Sequence, residues 1–267
     1  MHTARSIAEV FEQIAPLDSG ISGDQLGFIH GDPDREIRGV ACLWAVHGRS
    51  VERCVERRLD MFICHEGIWM PEQKSPWYEG PEAKDIHGNV RTRGRLDRHD
   101  VVVYRSHSNW DALPADGVAD QAVAALRIDG LREVARQRFF SVQELPEERS
   151  IEDLAAIVER GLGFTACRIF GDRTRCVRRF AFLIGGFGEN QHHMPQAARD
   201  MGAEAILIGE MSEFIVIACL EMGLPVIESL HSGSEIPAIR RQAEILAGRF
   251  PDLPVEYVPS GAASLTP

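Results

Sequence analysis

No stretch of this 267-residue chain supplies the run of roughly 18 apolar residues that a membrane span needs. Basic residues are in the minority: 29 Lys and Arg stand against 40 Asp and Glu, a formal net charge of −11. That balance argues against a dedicated nucleic-acid or anionic-membrane binder, which would show a basic face. Only six cysteines occur, at 42, 54, 64, 167, 176 and 219. None has CxxC spacing and several lie inside apolar runs, so they read as reduced thiols in a cytoplasmic protein without structural disulfides. The segment MHTARSIAEVFEQIAP interleaves acidic and apolar residues, the pattern of an amphipathic helix rather than a signal peptide. Short-period repeats and low-complexity tracts are lacking. What is present is 44% apolar and 26% charged residues, enough for the core of one large or two ordinary globular domains.

Apolar runs alternate with helical patterns, which predicts an α/β fold. Strands are expected at 39–46, 60–64, 100–105, 176–185, 204–209, 225–230 and 255–258. Helices are expected near 4–15, 50–58, 84–98, 117–127, 151–160, 194–201, 212–222 and 235–249. The last is the clearest, with Ile236, Ile239, Ala243, Leu246 and Phe250 on one stripe. Ser234 is expected to cap it, with Pro237 in its first turn. Residues 71–80 (PEQKSPWYEG) read as a loop. Residues 132–150 are highly charged and weakly periodic, and read as a domain junction.

Three segments place metal-capable side chains just after an apolar strand, where sites collect in α/β sheets. In FICHEG, His65 and Glu66 end the second strand, and Gly67 lets the chain turn. The plain alternative is a solvated strand-end pair. In SHSNWDA, His107 and Asp111 are four apart, so a helical turn puts them on one side. Alternatively, His107 bonds a backbone carbonyl and Asp111 caps a turn. In VIESLHSGSEIPAI, His231 and Glu235 repeat that spacing. Alternatively, Glu235 only complements a helix N-terminus. Together the segments offer three imidazoles and three carboxylates, a donor set suited to divalent ions with mixed nitrogen and oxygen ligation.

Other features have plainer readings. His192 and His193 follow GGFGEN and read as exposed. The glycines of LIGGFGEN fit neither a Walker A motif nor GxGxxG and read as a tight turn. Cys64 reads as a buried strand residue. Glu210 and Glu213 either hold imidazole N–H groups or form the acidic first turn of a helix. Arg91, Arg93, Arg95 and Arg98 read as one solvated helix face.

The segments GDQLGFIHGDPDREIRGV, FICHEG, SHSNWDA, LIGGFGEN and AEAILIGEMSEFIVIACLEMGLPVIESLHSGSEIPAI agree in order and spacing with a known family. The chain resembles the Nif-three-like dinuclear metal-centre proteins, often labelled GTP cyclohydrolase I type 2-like. The resemblance implies two α/β domains, the second inserted in the first. Residues 1–130 and 228–267 would form a discontinuous metal-site domain, and 131–227 the second domain. It implies two divalent ions per chain (Mn, Fe or Zn), held by His65, Glu66, His107, Asp111, His231 and Glu235. Glu66 stands where the family commonly has a second His, which favours oxygen-loving metals. The resemblance further implies a homohexamer built as a trimer of dimers.

Two functions follow as expectations. The first is a metal-dependent hydrolase acting on a nucleotide-like or other small substrate through metal-bound hydroxide, with Glu66 or Glu210 shuttling protons. The second is a non-catalytic metal-handling protein or oligomeric scaffold, in which the ions stabilise assembly. Nucleic acid and membranes are not expected partners.

Overall fold

The computed structural model describes residues 2–68, 87–163, 166–187, 191 and 193–261. Two compact units emerge, one of Met1–Leu113 with Ile239–Pro267 and one of Pro114–Ala238.

The first unit opens with β1 (His2–Thr3) and α1 (Ala4–Glu12), then β2 (Gly27–His30), β3 (Glu36–Ile37) and β4 (Val40–Leu43). Next come α2 (Gly48–Glu56), β5 (Met61–Cys64), α3 (His87–Arg98), β6 (Val102–Arg105) and the single turn α4 (Ser108–Asp111). The second unit holds α5 (Val118–Ala125), β7 (Arg132–Gln137), β8 (Phe140–Ser150), α6 (Ile151–Leu162) and β9 (Arg168–Phe170). It continues with β10 (Cys176–Phe187), α7 (His193–Asp200), β11 (Ala205–Met211), α8 (Glu213–Glu221) and β12 (Val226–Glu228). Helix α9 (His231–Arg249) carries the chain back, and β13 (Val255–Tyr257) rejoins the first unit.

The first unit is built on a five-stranded sheet in the order β13-β4-β5-β6-β2. Its central strands VACL, MFIC and VVYR are parallel and buried at every residue. Strands covered on both faces need such continuous apolar runs, which is why they were legible as strands. A further consequence concerns chain direction. Parallel β5 and β6 end at the same edge, so the residues that follow, His65 after β5 and His107 after β6, emerge together.

Helix α1 covers the region beside that edge. Thr3 and Ser6 cap it reciprocally, and Ile7 and Phe11 are fully buried. Phe11 stacks on Trp110 at a centroid distance of 5.5 Å, and Tyr104 donates its hydroxyl to Glu12 at 2.8 Å. These contacts hold α4 in place.

The second unit is a six-stranded mixed sheet in the order β7-β8-β10-β11-β12-β9. β10, β11 and β12 are parallel, and β8 and β9 run antiparallel to their neighbours. Ser150 caps α6 by accepting from the Asp153 N–H. Ala122 and Leu126 near α5 pack with Leu154, Val158 and Phe180, so this helix belongs to the core of this unit.

Residues 132–150 are not a junction. They form the β7–β8 hairpin, and β7 is an edge strand with no buried residue, so its alternation carries no apolar signal. The last helix begins at His231, four residues before the expected start. Ser234 does not cap it but lies inside, donating to the His231 carbonyl at 2.8 Å. Residues 71–80, His192 and the 188–190 part of LIGGFGEN lie outside the described residues.

Candidate metal centre

In the first unit, β5 delivers His65 and Glu66, and β6 delivers His107 into the turn of α4. The Asp111 N–H bonds the His107 carbonyl at 2.9 Å, closing that turn so that His107 and Asp111 share a side. The residues between them lock it. Asn109 donates to the Ala15 carbonyl at 2.9 Å and accepts from Ser106 Oγ at 3.2 Å, while Trp110 is fully buried. One donor atom each from His65, His107 and Asp111 lies within 4.8 Å of the others, the spacing of a shared cation. The His65 and His107 rings meet edge to face at 4.9 Å.

Each imidazole is oriented from behind. His65 Nδ1 lies 3.2 Å from the Ser106 carbonyl, so Nδ1 carries the proton and Nε2 presents a lone pair. Asp111 Oδ1 sits 3.3 Å from that Nε2 and is buried with no hydrogen-bond donor among the described residues. His107 Nδ1 donates to Asp24 Oδ2 at 2.9 Å, which frees its Nε2 in the same way.

Asp24 is a functional residue that sequence reasoning missed. It accepts from the Ser108 N–H and hydroxyl and, at 2.9 Å, from Arg105 Nη1. Burial alone would raise its carboxyl, but the hydrogen bonds from His107 and Ser108 and the charges of His107 and Arg105 outweigh it. They hold Asp24 well below the usual carboxylate range. Its only signal was an aspartate in a turn, 83 residues before His107. Arg105 is buried too. It donates to the His65 carbonyl at 3.1 Å, and its Nη2 stands 3.9 Å from Glu66 Oε2.

The second unit repeats this orientation with different parts. His231 opens α9, and its Nδ1 donates to Glu210 at 3.1 Å. Its Nε2 then faces Glu235 Oε1, one helical turn on, at 3.2 Å. Glu235 is almost fully buried, and the hydrogen bond from His231 holds Glu210 below its ordinary pKa. Glu213 by contrast is exposed at the start of α8.

The glycines read as a tight turn are the end of β10, where the register shifts between Leu183 and Gly186. Gly185 has φ +65°, and a Cβ there would lie 2.5 Å from Glu235 Oε1. A Cβ on Gly186 would lie 2.7 Å from His231 Nδ1 and 3.0 Å from Glu210 Oε1. The missing side chains make the space that the His231 ring and its carboxylates fill. Before it lies a cavity of about 380 Å³ lined by His231, Glu210, Arg168, Phe187 and Met211, among others.

His65 and His231 thus each have Nδ1 engaged and a carboxylate oxygen facing Nε2. Two acceptors so placed are reconciled by a cation between them, and imidazole with carboxylate is the donor chemistry of a divalent ion. His65, His107 and Asp111 therefore fit such an ion in the first unit, and His231 with Glu235 offers two further donors in the second.

Residues 2–263 match the Duf34/NIF3 (NGG1p interacting factor 3) family model, and the chain belongs to that family. It is similar to the GTP cyclohydrolase 1 type 2 homolog of Clostridium acetobutylicum, 22% identical over 91% of this chain and 89% of the relative. The homolog of Yersinia pestis is 26% identical over 90% and 87%. In fold the chain is similar to Staphylococcus aureus protein SA1388, with TM-score 0.80 and 16% identity over 100% of this chain and 99% of that one. A Bacillus cereus protein related to NIF3 gives TM-score 0.80 and 14% identity over 100% and 98%.

Proposed function

We propose that this member of the Duf34/NIF3 family binds two divalent ions and hydrolyses a small, nucleotide-like substrate. His65, Glu66, His107, Asp111, His231 and Glu235 are the ligands. The observation that carries the reading is the one just described: in each unit a carboxylate oxygen confronts an imidazole Nε2 whose opposite nitrogen is already committed. The relatives' name, GTP cyclohydrolase 1 type 2 homolog, supports a nucleotide-like substrate.

A bound divalent ion would supply Lewis acidity and make a coordinated water acidic near neutral pH. The chain's own residues do the rest. Asp24 and the Ser106 carbonyl fix the tautomers of His107 and His65. Glu210 orients His231 from the rim of the cavity. Arg168 offers a guanidinium on the cavity wall for an anionic substrate group.

The test has two arms. Elemental analysis of the purified chain should find at least one Mn, Fe or Zn per chain, lowered by His65→Ala or Asp111→Ala. A turnover assay with GTP and a phosphodiester panel should show activity that chelation and His231→Ala abolish. A chain that takes up no divalent ion would overturn the metal reading. A loaded chain inert on the whole panel would favour the second reading.

That second reading is a metal-handling oligomeric scaffold. It is favoured by α8, whose Phe214, Ile217 and Leu220 leave an apolar stripe in solvent, Phe214 being 73% exposed. The resemblance would make the assembly a homohexamer.

A further inference from the structure

A second cavity lies in the second unit, and its lining shares no residue with the cavity before His231. It measures about 570 Å³ and opens between the end of α5, strand β8 and helix α6. Three arginines line it: Arg127, Arg149 and Arg160. They outnumber the one carboxylate in that lining, Asp129.

Arg127 and Arg160 are exposed, and Arg149 is partly buried. Arg127 and Arg160 have no carboxylate within ion-pair distance among the described residues, whereas Arg5, Arg57, Arg95, Arg132 and Arg136 do. Arg149 does reach Glu147 through Nη2 at 2.6 Å, yet its Nε is buried without an acceptor. A buried guanidinium N–H lacking an acceptor is costly unless something else supplies one. The backbone agrees. Arg127 has φ +50°, a conformation that non-glycine residues adopt at a cost, and it sits at the turn that closes the cavity. Gly161 lets α6 press against this turn: a Cβ there would lie 2.6 Å from the Ala125 carbonyl.

The remaining wall defines the ligand further. Ile128 and Ile157 give an apolar face, and Asp129 an acceptor for a hydroxyl or amine. The volume suits a small organic molecule. We propose that this cavity binds a phosphorylated small molecule. The three guanidiniums take the phosphate in charge-assisted hydrogen bonds, and the isoleucines cover its apolar part.

The experiment uses the full chain treated with EDTA, so that metal-bound phosphate does not contribute. Pyrophosphate, GMP and glucose 6-phosphate are titrated calorimetrically at low salt, with glucose as the uncharged control. At least one phosphate probe should bind at one per chain while glucose does not. Affinity should fall about tenfold or more in Arg127→Gln/Arg160→Gln, and in Arg149→Gln alone should the double variant fail to fold. Binding should survive both His231→Ala and Arg91→Gln/Arg93→Gln, which removes equal charge elsewhere. Three results would overturn the assignment: no phosphate probe binds, the arginine variants bind like the parent, or the control pair weakens binding as much.

Discussion

Replacing Gly186 by alanine adds one methyl group directly behind His231. At Gly186 the backbone is not left-handed, so alanine brings no conformational strain. The new Cβ would stand 2.7 Å from His231 Nδ1, whereas ordinary contact begins at 3.4 Å. The ring must withdraw by about 0.7 Å, and Glu210, 3.0 Å away, must yield with it. His231 is partly exposed and has somewhere to go, so stability should change by under about 1 kcal/mol, as for other substitutions away from a rigid core. Donor geometry should suffer more. Loss of an orienting contact typically costs about 10–100-fold in metal affinity. Calorimetric titration with Mn²⁺ or Zn²⁺ reads the affinity, and thermal melting reads the fold. Gly163→Ala is the control. Gly163 has φ +78° and nothing within 4 Å of its would-be Cβ, so alanine there isolates backbone strain. That strain is about 1–2 kcal/mol, a fall of roughly 2–8 °C in Tm with metal affinity unchanged. If Gly186→Ala binds metal like the parent, or Gly163→Ala loses as much affinity, the glycine end of β10 does not position the donors.

Other perturbations have equally definite outcomes. Asp24→Asn removes the charge that Arg105 and His107 share, and should cost about 2–3 kcal/mol in chemical denaturation and about tenfold or more in metal affinity. Glu66→His should raise the ion content measured by elemental analysis if Glu66 weakens one position; an unchanged content would show that it already ligates. His47 caps α2 through Nδ1 and bonds the Ser260 carbonyl through Nε2, a neutral tautomer whose pKa burial lowers. With the folded value below the ordinary 6.5 of histidine, the unfolded chain binds the extra proton. Stability is then complete above pH 6.5 and falls as pH drops below it, and His47→Asn should flatten that slope in melts from pH 8 to 5. Phe214→Glu with Ile217→Glu should shift the chain to smaller species in light scattering, without change in Tm, if α8 is an assembly face.

The sequence announced most strands because the central ones are continuous apolar runs, as in MFIC and in VVVY before Arg105. It announced the donor segments because strand ends and four-residue spacings are local patterns. What it hid was non-local or lacked side chains. Asp24 meets His107 only through the sheet, since β2 and β6 pair antiparallel. Gly185 and Gly186 looked like a turn because the pattern of a strand cannot show what packs against its missing Cβ atoms. The β7–β8 hairpin looked like a junction because its edge strand buries nothing. The start of α9 was misplaced because Ser234 resembles a cap, whereas its hydroxyl is engaged by Gly185 N–H at 3.1 Å.

Arg105 gives the first unit a resident cation of its own. Enclosed beside Asp24 and Glu66, and tied to the His65 carbonyl, it offsets acidic groups that would otherwise repel one another in an empty shell. Small metal-dependent domains that collapse when stripped, by contrast, take their folding free energy from the ion itself. Here the scaffold should stand before any ion arrives and outlast its departure, which makes loading a reversible event rather than a step in becoming folded.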